Sequence, residues 1–297
     1  MGRFRDNLMD YNLGRILTFR LNATEGADTL SIRTYKYPIV IDWGDGSPAV
    51  DGHMAVSHTY ASGQYILRIG PRNVEYSDGV LVLDDSTINI MSSNERWSAL
   101  PGLNAIKCSN CANSELALTS IPNNPSNAYG YTSAFSSNGN ALLPLRELPK
   151  SATTLNNFAI GCKKAILPFN ELPPNLVGLQ TNAFAYCHEA TFTVTSIPAG
   201  VTGLSGAFSK CWKAHIKLSS LPANITSMNL AFEETKLEMN LDEVVNNAPE
   251  GGFTALTNLN GAFFGCAGVT GSRSRFLAAC PNAVTNKYTF SGTNTTE

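Results

Sequence analysis

The chain has 297 residues, of which 43% are hydrophobic and 15% charged, and its formal net charge is −2. The charged fraction lies well under the usual quarter, and no run of Lys and Arg forms the concentrated basic footprint that phosphate neutralisation requires. No stretch approaches the roughly 18 consecutive apolar residues of a membrane-spanning helix, so neither nucleic-acid binding nor membrane insertion is expected.

Residues 1–13 carry early basic residues with no apolar signal-peptide core behind them and are read as an N-terminal arm. Residues 14–92 read as short alternating strands. In "RILTFRLN", Ile16, Thr18 and Arg20 fall on one side and Leu17, Phe19 and Leu21 on the other. "PIVIDWGDGSPAV" is a strand running into a tight turn at Asp45-Gly46, where glycine tolerates positive φ. In "SHTYASGQYILRIG" a turn at Gly63 precedes Tyr65, Leu67 and Ile69 on alternate positions. Short strands separated by glycine turns predict a small β-sandwich.

Three segments of this region, "DWGDGS" (Asp42–Ser47), "HTY" (His58–Tyr60) and "GQYILRI" (Gly63–Ile69), resemble the hallmarks of the PKD-type immunoglobulin-like domain. One departure is that Trp43 is followed directly by Gly44, without an aromatic residue between them. The resemblance implies an immunoglobulin-like sandwich serving as a spacer or presentation module, with no inherited active site.

Residues 93–297 repeat themselves, the signature of a solenoid. Leu148-Pro149, Leu172-Pro173, Ile197-Pro198 and Leu221-Pro222 succeed one another at intervals of 24, 25 and 24 residues. Phe135, Phe158, Phe184, Phe208 and Phe232 keep nearly the same beat, and Phe263 and Phe290 resume it. Cys187, Cys211 and Cys266 each follow a Phe by three positions. Within one period, Ile216 and Leu218 alternate with Lys217 and Ser219 to give a short strand, which Leu221-Pro222 ends because proline cannot donate to a continuing ladder. The chain then crosses back with Ile225, Met228 and Phe232 pointing inward. One such coil cannot cover its own apolar side, so its neighbours must. "LDEVVNNAPEGG" is read as an insertion able to form one helical turn. The L-x-x-I-P…A-F-x-x-C rhythm resembles leucine-rich repeats of the BspA-like type. That resemblance implies a parallel-stranded solenoid used for adhesion and surface recognition. The expected fold is therefore mainly β: a PKD-like sandwich followed by a leucine-rich-repeat solenoid.

The chemical candidates are few. Cys108 and Cys111 form a CxxC, but zinc needs a second pair of ligands and none follows at suitable spacing. Cys108 takes the place of the inward Phe and Cys111 that of the repeat Cys, so both are read as core thiols, like Cys162, Cys187, Cys211 and Cys266. Asp42 and Asp45 are read as turn stabilisers, and the four His are scattered at 53, 58, 188 and 215. No Ser finds a His and Asp partner in a recognisable pattern, and there is no phosphate-cradling glycine loop. No catalytic residue, cofactor or metal ligand is nominated, and an enzyme is not expected.

The strand face turned to solvent remains. In this register it presents Arg146, Asn170, Thr193, Thr195, Lys217, Ser219, Glu238 and Asn240, a polar row that is either suited to hydrogen bonding with a glycan or a polar protein patch or is simply a solvated sheet face. Trp212, Tyr186 and Tyr131 either stack on a ligand from the rim or are covered by a neighbouring coil. Two adhesive-type modules without a signal peptide suggest a phage virion component of the tail or capsid surface. In that setting the arm or sandwich contacts other virion proteins and the solenoid meets a glycan or protein of the host surface. The alternatives are a bacterial surface or secreted adhesin and a structural cement protein of a virus particle.

Overall fold

The computed structural model describes residues 16–24, 27–72, 79–84, 86–100, 102–123 and 131–297, without the side chains of 36, 37, 53 and 54. The expected arm at 1–13 and the side chain of His53 lie outside the described residues. The chain is mainly β, with few and short helices and a solenoid-like second half.

Alternation builds the first part. β1 (Leu17–Ala23) buries Leu17, Phe19, Leu21 and Ala23 and leaves the residues between them at least partly accessible. It lies antiparallel to β4 (Gly63–Pro71) on one side and β6 (Asn89–Ser93) on the other. β2 (Asp28–Asp42) is long enough to pair with β4, β3 (Val50–Tyr60) and β5 (Gly79–Val82) along its length. Its pairing with β3 slips between Thr34 and Ile39, the stretch that contains Pro38, which has no N–H to give. β5 reads GVLV without alternation because all four of its residues are buried.

Hydrogen bonds join these strands into one seven-stranded sheet in the order β6-β1-β4-β2-β5-β7, with β3 pairing to β2 off that path. β7 (Leu103–Lys107) lies beyond the expected boundary at residue 93, yet it runs parallel to β5. Both ends of the path lead into the coils. Leu116 and Ala117 donate to the carbonyls of Ile90 and Met91 beside β6, and Cys108, just after β7, donates to Ala134. The first coil therefore joins two edge strands of the sheet, β6 and β7. One continuous apolar core runs from Leu17 to Cys280.

The turn after β2 shows why it is built as it is. Gly44 has φ of 82°, and a Cβ there would lie 2.2 Å from the Ile66 carbonyl oxygen. Asp42 accepts from the Gly44 amide at 3.0 Å and Asp45 from Ser47 at 2.9 Å. Asp45 also meets His58 Nε2 at 2.7 Å, and the His58 ring stacks on Trp43 at 4.7 Å. Both carboxylates are thus occupied in holding the turn.

Repetition builds the second part. Phe135, Phe158, Phe184, Phe208, Phe232, Phe263 and Phe290 form a column with ring centroids 5.3 to 6.3 Å apart. Each full burial contributes on the order of 2–3 kcal/mol. Phe158 sits one residue early: in the main-chain ladder Ala159 holds the place that Phe184 holds in the next coil. Beside the column runs a line of buried side-chain donors. The thiols of Cys162, Cys211 and Cys266 bond the carbonyls of Phe135, Phe184 and Phe232 at 2.8, 3.0 and 2.9 Å, and Cys187 bonds that of Ala159 at 3.1 Å. Where a Cys is missing, Thr235 Oγ1 bonds Phe208 O at 2.6 Å. Cys111 continues the line to Leu83 O in the N-terminal sheet.

All seven Cys are buried free thiols. Burial pushes Cys162, Cys266 and Cys280 up to about 12, and drives Cys108 and Cys187 well above the ordinary thiol value. They are consequently protonated donors and poor nucleophiles. The residue before each donor from Cys162 to Cys266 is left-handed: φ is 63° at Tyr186, 58° at Lys210 and 52° at Glu234, with glycine in the same place at Gly161 and Gly265.

Candidate functional site

On one side of the coils, short strands assemble into a parallel sheet in the order β11-β10-β9-β8, formed by Thr193–Val194 (β8), His215–Leu218 (β9), Lys236–Asn240 (β10) and Val269–Thr270 (β11). Val194, Ile216, Leu218, Leu237, Met239 and Val269 face the core, so the residues between them face solvent. The register sets Thr193 beside His215, His215 beside Lys236, Lys217 beside Glu238, and Asn240 beside Thr270.

The eight residues singled out in the sequence are not all together. Thr195, Lys217, Ser219, Glu238 and Asn240 line one open depression of about 600 Å³ at the C-terminal ends of the strands. Arg146 and Asn170 are exposed on earlier coils, where the path is irregular, and do not line it. Thr193 is half-buried and lies opposite His215, outside the depression.

The depression also uses Glu243, Gly268 and Thr270, which the sequence reading left out. Glu243 belongs to α1 (Leu241–Asn246), the helical turn formed by the insertion, which rises from the end of β10 as a wall. Asn240 starts that helix: its Oδ1 accepts from the amides of Asp242 and Glu243 at 2.9 and 3.2 Å. Its oxygen is thus committed, while its Nδ2 is the atom left to face a ligand. Asp242 ties α1 to α2 (Arg273–Ala278) through Arg275 at 3.1 Å, which steadies the wall.

Lys217 and Glu238 are neighbours in register with opposite charge, yet among the described residues no ion pair joins them. Paired residues of parallel strands point the same way about 4.8 Å apart, so both side chains extend outward over the depression. With Glu243 they offer one ammonium and two carboxylates, and Ser219, Thr195 and Thr270 add hydroxyls. Such a set both donates and accepts hydrogen bonds, with acceptors in excess, and suits a polyhydroxylated or zwitterionic ligand.

Of the three aromatics, Tyr131 takes the covered alternative. It is fully buried, and its hydroxyl donates to carbonyls of Asn104 and Pro122 inside the coils. Tyr186 and Trp212 are exposed. Among the described residues, no group of three or more His, Cys, Asp or Glu side chains is placed to hold a metal ion, and no helix is long and apolar enough to cross a membrane.

Fold and site together describe a β-rich, solenoid-like protein with a polar depression on its parallel strand face. No protein-family model, no curated protein and no solved structure matches the chain.

Proposed function

We propose that the chain is a non-enzymatic recognition protein that binds a polar surface ligand, a glycan or a polar protein patch, on the parallel face of its solenoid. One observation carries this reading: five residues chosen for their outward register converge on a single depression. The shifted thiols support a binding role over a catalytic one, because they lie inside the coils with their protons held on main-chain carbonyls.

In this reading the N-terminal sheet is a PKD-like, immunoglobulin-like module and the coils are leucine-rich repeats of the BspA-like kind. The Asp45–His58 contact and the turn at Gly44 and Gly46 support the first. The Phe column and its regular donors support the second. The proposed setting is the surface of a phage particle, with the N-terminal module toward the particle and the depression toward the host.

Glycan-array and whole-cell binding with the intact chain and with Lys217→Ala and Glu238→Ala tests the site. Binding that both variants weaken supports the reading; no binding, or binding that neither variant alters, rejects it. Electron microscopy of a purified particle tests the setting, which fails if the chain is absent from the particle surface.

A further inference from the structure

The corner between each buried donor and the strand that follows changes length along the solenoid. β8 begins at Thr193, six residues after Cys187; β9 at His215, four after Cys211; β10 at Lys236, one after Thr235. The corner Trp212-Lys213-Ala214 is therefore matched on one side by His188-Glu189-Ala190. On the other side the next coil passes from Glu234 and Thr235 directly into its strand.

This step leaves an aromatic ring half-covered. The His188 imidazole stacks on Trp212 with centroids 3.9 Å apart and planes 13° from parallel, closing one face of the indole. The next coil has no corner residue to close the other, and Trp212 remains 46% exposed. The platform is rigid before any ligand arrives. An ion pair between Glu189 and Lys213 bridges the two corners, and the Lys210 ammonium lies over the ring of Tyr186, 5.5 Å from its centroid. Tyr186 in turn lies edge-on to His188 at 6.5 Å. The shortened corner carries two exposed polar residues, Lys236, which pairs in register with His215, and Glu234, which follows the Glu233 carbonyl that takes the Lys210 amide.

We propose that this step is a sugar subsite in which the open face of Trp212 stacks against the C–H face of an uncharged hexopyranose ring while Glu234 and Lys236 bond its hydroxyls. An apolar partner of another protein fits less well, because an aromatic hot spot needs a surround that excludes water, and here the surround is charged. A polyanion fits less well because a carboxylate stands beside the ammonium. A flat ring carrying hydroxyls on its edge satisfies both features, and rings held rigid in advance lose little freedom on binding. The inference deepens the recognition reading but uses none of the residues of the strand depression, so the two can fail separately.

The test is titration of the intact chain with cellotetraose, whose glucose rings present axial C–H groups on both faces, followed by tryptophan fluorescence and calorimetry. Saturable binding is expected, weakened about tenfold by Trp212→Ala and severalfold by Glu234→Gln. It should be unchanged by Lys217→Ala and change less than about twofold between low and high salt, since no charge on the ligand is neutralised. Trp212 and Glu234 are exposed, so circular dichroism of the variants should match the parent. Absence of saturable binding overturns the proposal, as does an affinity that Trp212→Ala leaves within about twofold. Equal competition by a single-stranded oligonucleotide or a proline-rich peptide also overturns it, in favour of a polyanion or protein ligand.

Discussion

The sheet at the start of the chain and the coils that follow bury their apolar residues by different rules. In the sheet, strands meet antiparallel except β5 with β7, main-chain groups satisfy one another, and alternation selects the buried side in strands such as β1. In the coils, each turn is covered by the turns before and after it, and the corner carbonyls of Ala159, Phe184, Phe208 and Phe232 each take a main-chain amide of their own turn and a side-chain donor of the next. That side-chain donor is a thiol or a threonine hydroxyl in every second-half rung from Cys162 to Cys266. The difference teaches that a cysteine ladder can be a hydrogen-bonding device rather than a redox or metal-binding one.

The sharpest way to break the comparison is to empty the column. Phe208→Ala removes a ring that touches Phe184 on one side and Phe232 on the other and should cost about 3–5 kcal/mol in urea unfolding. Hydrogen exchange should accelerate in residues 184–232 while amides of β1 and β4 stay protected; equal loss in both regions would show that they do not differ in cooperativity. Next in size, Cys187→Val removes one of two donors on the Ala159 carbonyl, which keeps the Cys162 amide at 3.0 Å, and should cost about 0.5–1.5 kcal/mol. Cys187→Thr restores a donor, as Thr235 already does, and should cost clearly less in the same assay.

Acid should act on the sheet. Burial alone would raise the Asp45 carboxyl, but the Ser47 amide and His58 outweigh it and hold it below the ordinary value. Its contribution is therefore complete above the unfolded pKa of about 3.9 and is lost as pH falls through the lower folded value. Asp45→Asn should be less stable than the parent at neutral pH and should converge with it in acid, as followed by thermal melts. The smallest effect belongs to a corner. Glu234 holds φ of 52° where Gly265 and Gly161 hold the same place, so Glu234→Gly should raise stability by about 0.5 kcal/mol.

Much of the coil architecture was legible because it is periodic. The Phe beat, the Cys three places on, and the alternation at Ile216 and Leu218 each state a packing requirement that recurs until it can be read. Phe158 shows the limit: a ring can reach the column from the neighbouring backbone place, so counting residues misassigns it by one. Tyr131 was unreadable for another reason, since a phenol serves equally at a wet rim or in a core with a carbonyl to bond. Of the depression, Thr195, Lys217, Ser219, Glu238 and Asn240 followed from register. Glu243 and Thr270 did not, because the insertion and the shortening corners shift the beat there. The parallel pairing of β5 with β7 has no local signature, which hid the way the sheet flows into the coils.

That join carries a mechanical meaning. The first coil is bonded to β6 and also continues from β7, both edge strands of the N-terminal sheet, so no swivel separates the halves. Whatever holds the front of the molecule also aims the strand face, and a tug on the far coils must shear two rows of amide bonds at once instead of straightening a tether.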